Sequence, residues 1–327
     1  MFSAIYIEEE IKDWDRVKEI VEPFSNVPQI ICGRYGEVFN RTNQNFRIQK
    51  QTPALILAKK YGNLVLQAPS GYGFEGGQSF YFSHMLNCIY DCRYCFLQGM
   101  YRSANYVLFV NYDDFKSQIE KSIRSCDGNS IYYSGYDCDS LALEPVSYFC
   151  DYFLRVFEEN PSGILEIRTK STQVRALLER PPIPNCIIAM SFSPQKSALQ
   201  FEHKVPSIQK RIQALEKLQA KGWKIAIRFE PVIFENRLVE SYKVLFEQIF
   251  DSLDVHQLHS VSLGEFRMPK AYYKSVVKLY PDEELFARET KVEGGMISLK
   301  DTGTDSLRNL EDMLQTYVSH EKYYFCG

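Results

Sequence analysis

Three cysteines lie close together in the sequence, in a C-x3-C-x2-C run formed by Cys88, Cys92 and Cys95. Three soft thiolates within eight residues can bind three irons of a [4Fe-4S] cluster. An electron-transfer ferredoxin would normally provide a fourth cysteine for the remaining iron, and none lies close by in this sequence. The spacing therefore favours a reactive cluster whose fourth iron stays open to bind another molecule.

Two other interpretations of these cysteines stay open. A zinc site usually has four Cys or His ligands, and His84, four residues before Cys88, is the nearest candidate for the fourth. In a chain with nine cysteines, three buried thiols can also lie close together by chance. The aromatic residue Tyr94, directly before Cys95, favours the iron–sulfur interpretation.

A C-x3-C-x2-C run with an aromatic residue before its last cysteine resembles the radical S-adenosylmethionine (SAM) superfamily. The resemblance implies that the amino and carboxylate groups of SAM chelate the open iron. An electron from the cluster then cleaves SAM to a 5′-deoxyadenosyl radical, which abstracts a hydrogen atom. By the same resemblance Tyr94 lies near the adenine, while the protein positions the cofactors and excludes water.

Composition places the chain among globular proteins. It has 327 residues, 45% of them apolar and 24% charged, and no apolar run reaches the ~20 residues that cross a membrane. The first ten residues lack the basic and apolar regions of a signal peptide. The odd number and uneven spacing of the cysteines indicate reduced thiols. We therefore expect a cytoplasmic protein without a membrane partner.

The charge of the chain gives no general attraction to nucleic acid. The formal net charge is −3, so a nucleic-acid partner would need a local basic patch. Candidates are residues 204–211 and a series at helical spacing with Tyr272 and Tyr273 between its members, namely Arg267, Lys270, Lys274 and Lys278. From composition alone, a solvated helix face is the better-supported interpretation of this series.

Residues 1–76 are predicted to form a small N-terminal α/β module. Apolar strands are expected at 4–8, 28–32, 54–59 and 64–67, with an amphipathic helix within 14–24. The loop 71–77 has a G-x-G-x-x-G pattern. A dinucleotide-binding fingerprint must open a helix, whereas residues 78–82 after this loop are strand-like. A dinucleotide-binding dehydrogenase is therefore disfavoured.

Strands and helices alternate over residues 77–327. Strands are predicted at 79–82, 130–134, 163–169, 186–191, 224–229 and 261–263, and helices at 113–125, 145–159, 173–180, 208–221 and 238–250. This alternation predicts a parallel sheet, either open or closed into a barrel. Because radical SAM enzymes use a partial (β/α)6 barrel of the TIM type, we expect that architecture, with a C-terminal substrate-facing extension.

Polar residues follow the predicted strands at their C-terminal ends, where barrel enzymes carry their catalytic groups. They are Cys138 and Ser140 after the second strand, Lys170 after the third, Ser191 and Ser193 after the fourth, Glu230 after the fifth and Glu265 after the sixth. Each of them alone is explained equally well by contact with solvent. Their joint placement on one rim favours a ligand site.

Several segments together resemble the spore photoproduct lyase family. They are residues 88–98, Cys138 fifty residues after Cys88, the Cys138 and Ser140 pair, the run from Arg168 to Lys170, residues 201–202, 207–212, 263–267 and 278–281. The N-terminal module is included, so the resemblance spans essentially the whole chain. Enzymes of this family repair a thymine dimer joined through a methyl carbon in DNA.

The resemblance implies roles for individual residues. After the radical removes a ring hydrogen and the bond between the bases breaks, a cysteine donates hydrogen to the thymine radical. Cys138 matches this donor, and its weak S–H bond suits the role, although a free cysteine is more often a small buried apolar residue. Cys138 and Tyr94 are therefore the catalytic candidates.

The same resemblance implies how SAM is held and which partners the protein has. Ser140, Lys170 and Ser193 would contact the methionyl part of SAM, with Lys170 facing its carboxylate. Ser193 is matched across a small gap, so Ser191 is the alternative. The implied partners are DNA with a damaged pyrimidine pair and an electron donor such as flavodoxin or ferredoxin.

The sequence departs from the family pattern at two places. Phe96 stands where the family has a tyrosine proposed to relay the hydrogen atom, and the stretch 288–295 lacks the arginine–tyrosine pair found near the lesion. Two further hypotheses therefore stay open, a related radical SAM enzyme acting on RNA, a peptide or a small molecule, and a zinc-stabilised nucleic-acid binding protein. The remaining cysteines, among them Cys326, are predicted to be structural thiols.

Overall fold

The structure is a computed structural model that describes residues 2–69, 78–301 and 305–326. Its strands are β1 (Ile5–Glu8), β2 (Gln29–Cys32), β3 (Leu55–Ala58), β4 (Leu66–Gln67), β5 (Gln78–Phe82), β6 (Met85–Leu86), β7 (Asp91–Cys92), β8 (Tyr106–Phe109), β9 (Ser130–Ser134), β10 (Gly163–Thr169), β11 (Cys186–Ser191), β12 (Glu202–His203), β13 (Lys224–Val232), β14 (Leu258–Glu265), β15 (Arg267–Pro269), β16 (Thr290–Glu293), β17 (Met296–Leu299) and β18 (Tyr323–Phe325). Its α-helices are α1 (Asp15–Val21), α2 (Gly36–Phe39), α3 (Phe46–Gln49), α4 (Leu97–Met100), α5 (Tyr112–Arg124), α6 (Glu144–Ser147), α7 (Phe149–Glu159), α8 (Arg175–Leu178), α9 (Gln195–Phe201), α10 (Ile208–Lys221), α11 (Leu238–Phe250), α12 (Lys270–Leu279) and α13 (Ser306–Leu314).

The first sheet has the strand order β2-β1-β3-β8-β6 and its own apolar core. All of its strands are parallel to their neighbours except β6, which is antiparallel to β8. Ile5, Ile7, Leu55 and Leu57 are buried in this core. The predicted module at 1–76 supplies three of the strands, while β6 and β8 come later in the chain. The division at residue 76 and the glycine-rich loop 71–77 lie outside the described residues.

The second sheet has the strand order β18-β14-β13-β11-β10-β9-β5-β4 and curls into a partial barrel. Every strand is parallel to its neighbours except β4, which is antiparallel to β5. Helices α5, α7, α8, α10, α11 and α13 lie between successive parallel strands. The predicted alternation of strands and helices is therefore confirmed, and its strands are β5, β9, β10, β11, β13 and β14.

The interior of the barrel contains a buried charge network. Arg228 Nη2 lies 2.8 Å from Glu166 Oε2, and Arg168 Nε lies 2.8 Å from Glu166 Oε1. Burial alone would raise the pKa of Glu166, but the two guanidinium groups outweigh it and lower that pKa to about 2. Arg168 also pairs with Glu230 at 3.1 Å, so the network reaches the C-terminal end of the sheet.

One predicted helix is divided in the structure. The sequence predicts a single helix over 145–159, whereas α6 ends at Ser147 and α7 begins at Phe149, with Tyr148 at a φ of 50° between them. The Glu144 carboxylate accepts a hydrogen bond from the backbone N–H of Cys150 at 3.0 Å. That bond satisfies one of the N–H groups that a helix start leaves without a backbone partner, so α7 begins anew.

A small antiparallel sheet, in the order β15-β17-β16, follows the barrel. It stands beside the end of β14, and α12 starts directly after β15. Among the described residues, no helix combines the length and the apolar composition that a membrane crossing requires.

Candidate active site

The three cysteines of the C-x3-C-x2-C run line one cavity of about 490 Å³ at the C-terminal end of the second sheet. Cys138 and Lys170 line the same cavity. Residues that are 82 positions apart in the chain thus meet because the parallel strands bring their C-terminal ends to one rim. Of the residues that the sequence predicts on one rim, Cys138, Lys170, Ser191, Glu230 and Glu265 line this cavity.

The loop that carries the three cysteines is held by backbone and lysine contacts. Within it, β7 pairs with β12 in the antiparallel sense. The buried Lys50 donates hydrogen bonds from its ammonium to the carbonyl oxygens of Cys88 at 2.7 Å and Tyr90 at 3.1 Å. Lys204 in turn donates to the carbonyl oxygen of Lys50 at 3.0 Å. A cation at the end of α3 thereby fixes the start of the cysteine loop.

The protonation chemistry of the three thiols suits an iron–sulfur cluster. Burial raises the pKa of Cys88 to about 12, and burial also raises the pKa values of Cys92 and Cys95. Thiolates at these positions therefore need nearby positive charge, which the irons of a cluster would supply. The backbone N–H of Tyr90 points to Cys88 Sγ at 3.4 Å, and that of Leu97 to Cys95 Sγ. The residues present fit the group.

His84, the candidate fourth ligand of a zinc site, lies in the apolar core. Its ring packs against Phe149 with 4.5 Å between centroids, and it is not part of the cavity wall. Burial, with Arg16 and Lys60 nearby, lowers the pKa of His84 to about 3. In the described part of the chain, no group of three His, Cys, Asp or Glu residues is arranged to hold a single metal ion.

Tyr94 is buried beside the cluster loop and bound to a carboxylate. Its hydroxyl donates a hydrogen bond to Glu202, which also accepts from Ser193 at 3.0 Å and pairs with Arg211 at 2.8 Å. Burial, followed by the charge of Glu202, raises the pKa of Tyr94 well above its usual value. The phenol therefore stays protonated, and its ring forms part of the cavity wall.

Cys138 is held at the cavity by its neighbour Asp139. The Asp139 carboxylate accepts hydrogen bonds from the Thr169 hydroxyl at 2.7 Å, from the Lys170 backbone N–H at 2.6 Å and from the Leu141 N–H at 3.1 Å. These bonds fasten the loop after β9 to the end of β10. Burial, followed by the charges of Cys88 and Asp139, raises the pKa of Cys138 well above its usual value, so the group carries its S–H hydrogen.

Lys170 lies close to Tyr94 and to the cysteines. Its ammonium is 5.5 Å from the centre of the Tyr94 ring, and its charge opposes the rise that burial causes in the pKa values of Cys92 and Cys95. A cation on this wall of the cavity can receive a carboxylate group, which is the role expected from the sequence.

Of the three serines predicted to contact SAM or named as the alternative, only Ser191 lines the cavity. Ser191 lines the cavity, whereas Ser193 donates to Glu202 and Ser140 bonds to Ser134 with 2.8 Å between their hydroxyl oxygens. A Cβ atom on Gly135 would stand 2.6 Å from the Ser140 hydroxyl, so Ser140 packs directly behind that glycine. Neither Ser140 nor Ser193 is part of the cavity wall.

Three functional residues were given no role from the sequence. Lys50 precedes Cys88 by 38 positions, Asp139 is one acid among 41 acidic residues, and Glu202 follows α9 and begins the short strand β12. Cys326, predicted to be structural, lines the same cavity as Cys138. Its backbone N–H donates to Leu263 at 2.8 Å, which extends the pairing of β18 with β14. Only the fold brings these residues to the site.

Phe96 stands among aromatic rings on the cavity wall. Its ring centroid is 5.6 Å from that of Tyr136 and 6.3 Å from that of Tyr272. All three residues line the cavity. Phe96, which stands where the family pattern has a tyrosine, thus has two tyrosines as neighbours.

A curled parallel sheet with three cysteines and a protonated thiol around one cavity at its C-terminal edge defines a partial barrel of the radical SAM kind. The sequence profile of the spore photoproduct lyase family matches residues 77–299. The chain belongs to that family, as its sequence segments had indicated.

Individual relatives are more distant. The spore photoproduct lyase of Bacillus subtilis (strain 168) is 23% identical over 208 residues, which are 62% of this chain and 61% of the relative. That of Clostridium acetobutylicum is 21% identical over 294 residues, 87% of this chain and 84% of the relative. The match to the Bacillus protein thus spans less than two thirds of its length.

Solved structures of spore photoproduct lyase have the same fold. A double mutant with bound AdoMet and dinucleoside spore photoproduct superimposes with a TM-score of 0.83 at 18% identity, covering 100% of this chain and 98% of that chain. A complex with dinucleoside spore photoproduct gives a TM-score of 0.81 at 18% identity, with 99% of each chain covered. The predicted partial barrel is confirmed.

Proposed function

We propose that this protein is a radical SAM enzyme that repairs a thymine photodimer in DNA by carbon–carbon bond cleavage. The observation that carries the proposal is the shared cavity, which is lined by three cysteines, the cation of Lys170 and the protonated thiol of Cys138. Family membership and the AdoMet and dinucleoside photoproduct bound in a solved relative support it.

The cofactors are assigned to particular residues. Cys88, Cys92 and Cys95 would hold a [4Fe-4S] cluster, and Lys170 with Tyr94 and Ser191 would border SAM. When bound, these cofactors supply a 5′-deoxyadenosyl radical. Lys170 receives the carboxylate of SAM by charge, while Tyr94, fixed by Glu202, presents the face of its ring. Ser140 and Ser193 support this wall from behind.

Cys138 would return a hydrogen atom to the substrate. Its S–H bond breaks homolytically, a C–H bond forms on the thymine radical, and a thiyl radical remains on the sulfur. A donor of this kind must be protonated at neutral pH, and burial ensures that for Cys138. Asp139 keeps the thiol at the cavity by fastening its loop to the end of β10.

The partners follow from the proposed reaction. DNA with a damaged pyrimidine pair is the substrate, and a low-potential protein such as flavodoxin or ferredoxin supplies the electron. The reaction takes place in the cytoplasm, where the nine cysteines stay reduced.

The test uses anaerobically reconstituted protein with dithionite and SAM. The wild type is expected to contain iron and sulfide, to form 5′-deoxyadenosine and to repair a dinucleoside photoproduct. Cys92→Ala should form no 5′-deoxyadenosine, whereas Cys138→Ala should form it and fail to complete the repair. A protein that contains zinc without iron or sulfide, or that leaves SAM intact, would refute the proposal.

A second candidate function keeps the chemistry and changes the substrate to RNA, a peptide or a small molecule. Phe96 in place of a tyrosine favours it, as does the hairpin of β16 and β17 without an arginine–tyrosine pair. Cleavage of SAM without repair of thymine-dimer oligonucleotides would select this alternative.

A further inference from the structure

Four cations form a row that leads away from the cavity. Arg267 lies in β15, and Lys270, Lys274 and Lys278 lie on α12; all four are exposed and are here called the basic ridge. Among the described residues, none of the four has a carboxylate within ion-pair distance. Lysines four positions apart share one helix face, so the three lysine side chains stand side by side.

The basic ridge is attached directly to the active site. Arg267 and Tyr272, from the same segment as the lysines, line the cavity that holds the three cysteines. Helix α12 packs on α4, which follows Cys95, and a Cβ atom on Gly99 of α4 would stand 2.4 Å from the Tyr272 carbonyl oxygen. The ridge therefore keeps a fixed position relative to the cysteine loop.

Length and charge spacing match one strand of nucleic acid. Eight residues separate Lys270 from Lys278, a rise of about 12 Å in an α-helix. A strand of duplex DNA carries a phosphate about every 3.4 Å along the axis, so roughly three to four phosphates pass this length. The three lysines on this length, with Arg267 just before it, therefore match the number of phosphates.

Other anionic partners fit less well. A helix that binds a membrane surface needs an exposed apolar face, and α12 exposes no large apolar side chain. Neighbouring carboxylates do not neutralise the ridge, since Glu265 pairs with Lys291 and Glu283 pairs with Arg93. The exposed Asp282 lies beyond the end of α12.

We infer that the basic ridge binds the phosphate backbone of the DNA strand beside the lesion, and so directs the two joined thymines into the cavity. The inference rests on the proposed function and adds the surface that holds the substrate. In a molecule with a net charge of −3, affinity for DNA has to come from such a local cluster of cations.

The experiment measures binding of a fluorescently labelled, undamaged DNA duplex to reconstituted protein by anisotropy, over a range of salt concentrations. The variant Lys270→Gln/Lys274→Gln/Lys278→Gln should bind at least about tenfold more weakly at 0.1 M salt. Its plot of log affinity against log salt should be shallower by about 2–3 units, since each phosphate contact contributes roughly 0.9.

A matched control removes three other exposed lysines, two from α10 and one at the start of β13, as Lys217→Gln/Lys221→Gln/Lys224→Gln. This control should bind DNA with the affinity and salt dependence of the wild type, and both triple variants should form 5′-deoxyadenosine normally. Unchanged DNA binding in the ridge variant would overturn the inference, as would equal competition by polyglutamate. If the wild type does not cleave SAM, the proposed function is refuted. That result is separate from the binding measurement, which tests only the basic ridge.

Discussion

At the scale of single residues, burial decides which groups carry protons. Cys138 and Tyr94 both have raised pKa values because they are buried, so both keep a hydrogen that can be donated. Glu202 and Glu166 are equally buried but paired with arginines, and their pKa values are lowered. The same low-dielectric interior thus keeps hydrogen donors neutral and structural ion pairs charged.

The buried His84 gives the fold a dependence on acid. Its folded pKa of about 3 lies below the ordinary 6.5, so the unfolded chain binds more protons below pH 6.5 and stability falls as the pH is lowered towards 3. Between pH 7.5 and 5 this residue should remove about 2 kcal/mol from the free energy of unfolding. The measurement is urea unfolding of the wild type and of His84→Leu at both pH values.

For each protein, the free energy of unfolding at pH 5 is subtracted from that at pH 7.5, so that a loss of packing in the variant cancels. His84→Leu should lose about 2 kcal/mol less than the wild type between the two pH values, because its residue 84 cannot be protonated. Equal losses in both proteins would show that the imidazole is protonated in the folded state.

At the scale of elements, Gly99 sets the distance between α4 and α12. A Cβ atom there would stand 2.4 Å from the Tyr272 carbonyl oxygen and 2.8 Å from Val276 Cγ2. Because the nearer atom belongs to the backbone, it can move only with the helix. Gly99→Ala should therefore lower the free energy of unfolding by about 1–3 kcal/mol and reduce the iron bound on reconstitution.

Gly36→Ala is the matched control, because Gly36 begins α2 and its added Cβ would meet only the Asn40 side chain, at 3.2 Å. This variant should keep the stability and iron content of the wild type. Thermal unfolding and iron analysis measure the stability and the iron content of both variants. A Gly99→Ala protein as stable as the control would contradict the close packing of α4 on α12.

The elements also show what the sequence can and cannot predict. Strand β11 is an almost continuous apolar run, whereas the apolar residues of β10 are interrupted by Glu166 and Arg168, and the bounds of both strands were predicted to the residue. The two-residue strands β6, β7 and β12 have no periodic pattern, and each depends on a partner distant in the chain. The cysteine loop was therefore predicted, whereas the pairing that holds it was not.

The candidate site divides in the same way. Cys88, Cys92 and Cys95 carry their own spacing, and Cys138 and Lys170 follow strands, so sequence alone predicts their common rim. Lys50 reaches the cysteine loop from the end of α3, and Glu202 reaches it from the short strand β12. Cys326 reaches the cavity wall from the end of β18. Contacts that depend on three separate parts of the fold leave no pattern in the sequence.

At the scale of the whole molecule, the two ends of the described chain meet different parts of the barrel. Lys50, at the end of α3 in the N-terminal part of the chain, holds the cysteine loop, and the last described strand, β18, covers the edge of β14. The Tyr324 ring of β18 lies 5.2 Å from the Arg228 guanidinium, which pairs with Glu166 inside the barrel. Removing β18 would thus expose the edge of β14 and the buried charge network to solvent.

A chain that stops at Lys322 should therefore be less stable by about 3 kcal/mol or more, since it loses the burial of two tyrosines as well as the strand pairing. It should also aggregate more readily, because β14 becomes an exposed edge. Thermal unfolding and light scattering measure these effects. Cys326→Ala is the control, since it removes the cavity thiol and keeps β18, and it should match the wild type in stability. A truncated chain that unfolds at the wild-type temperature would show that the barrel does not depend on its last strand.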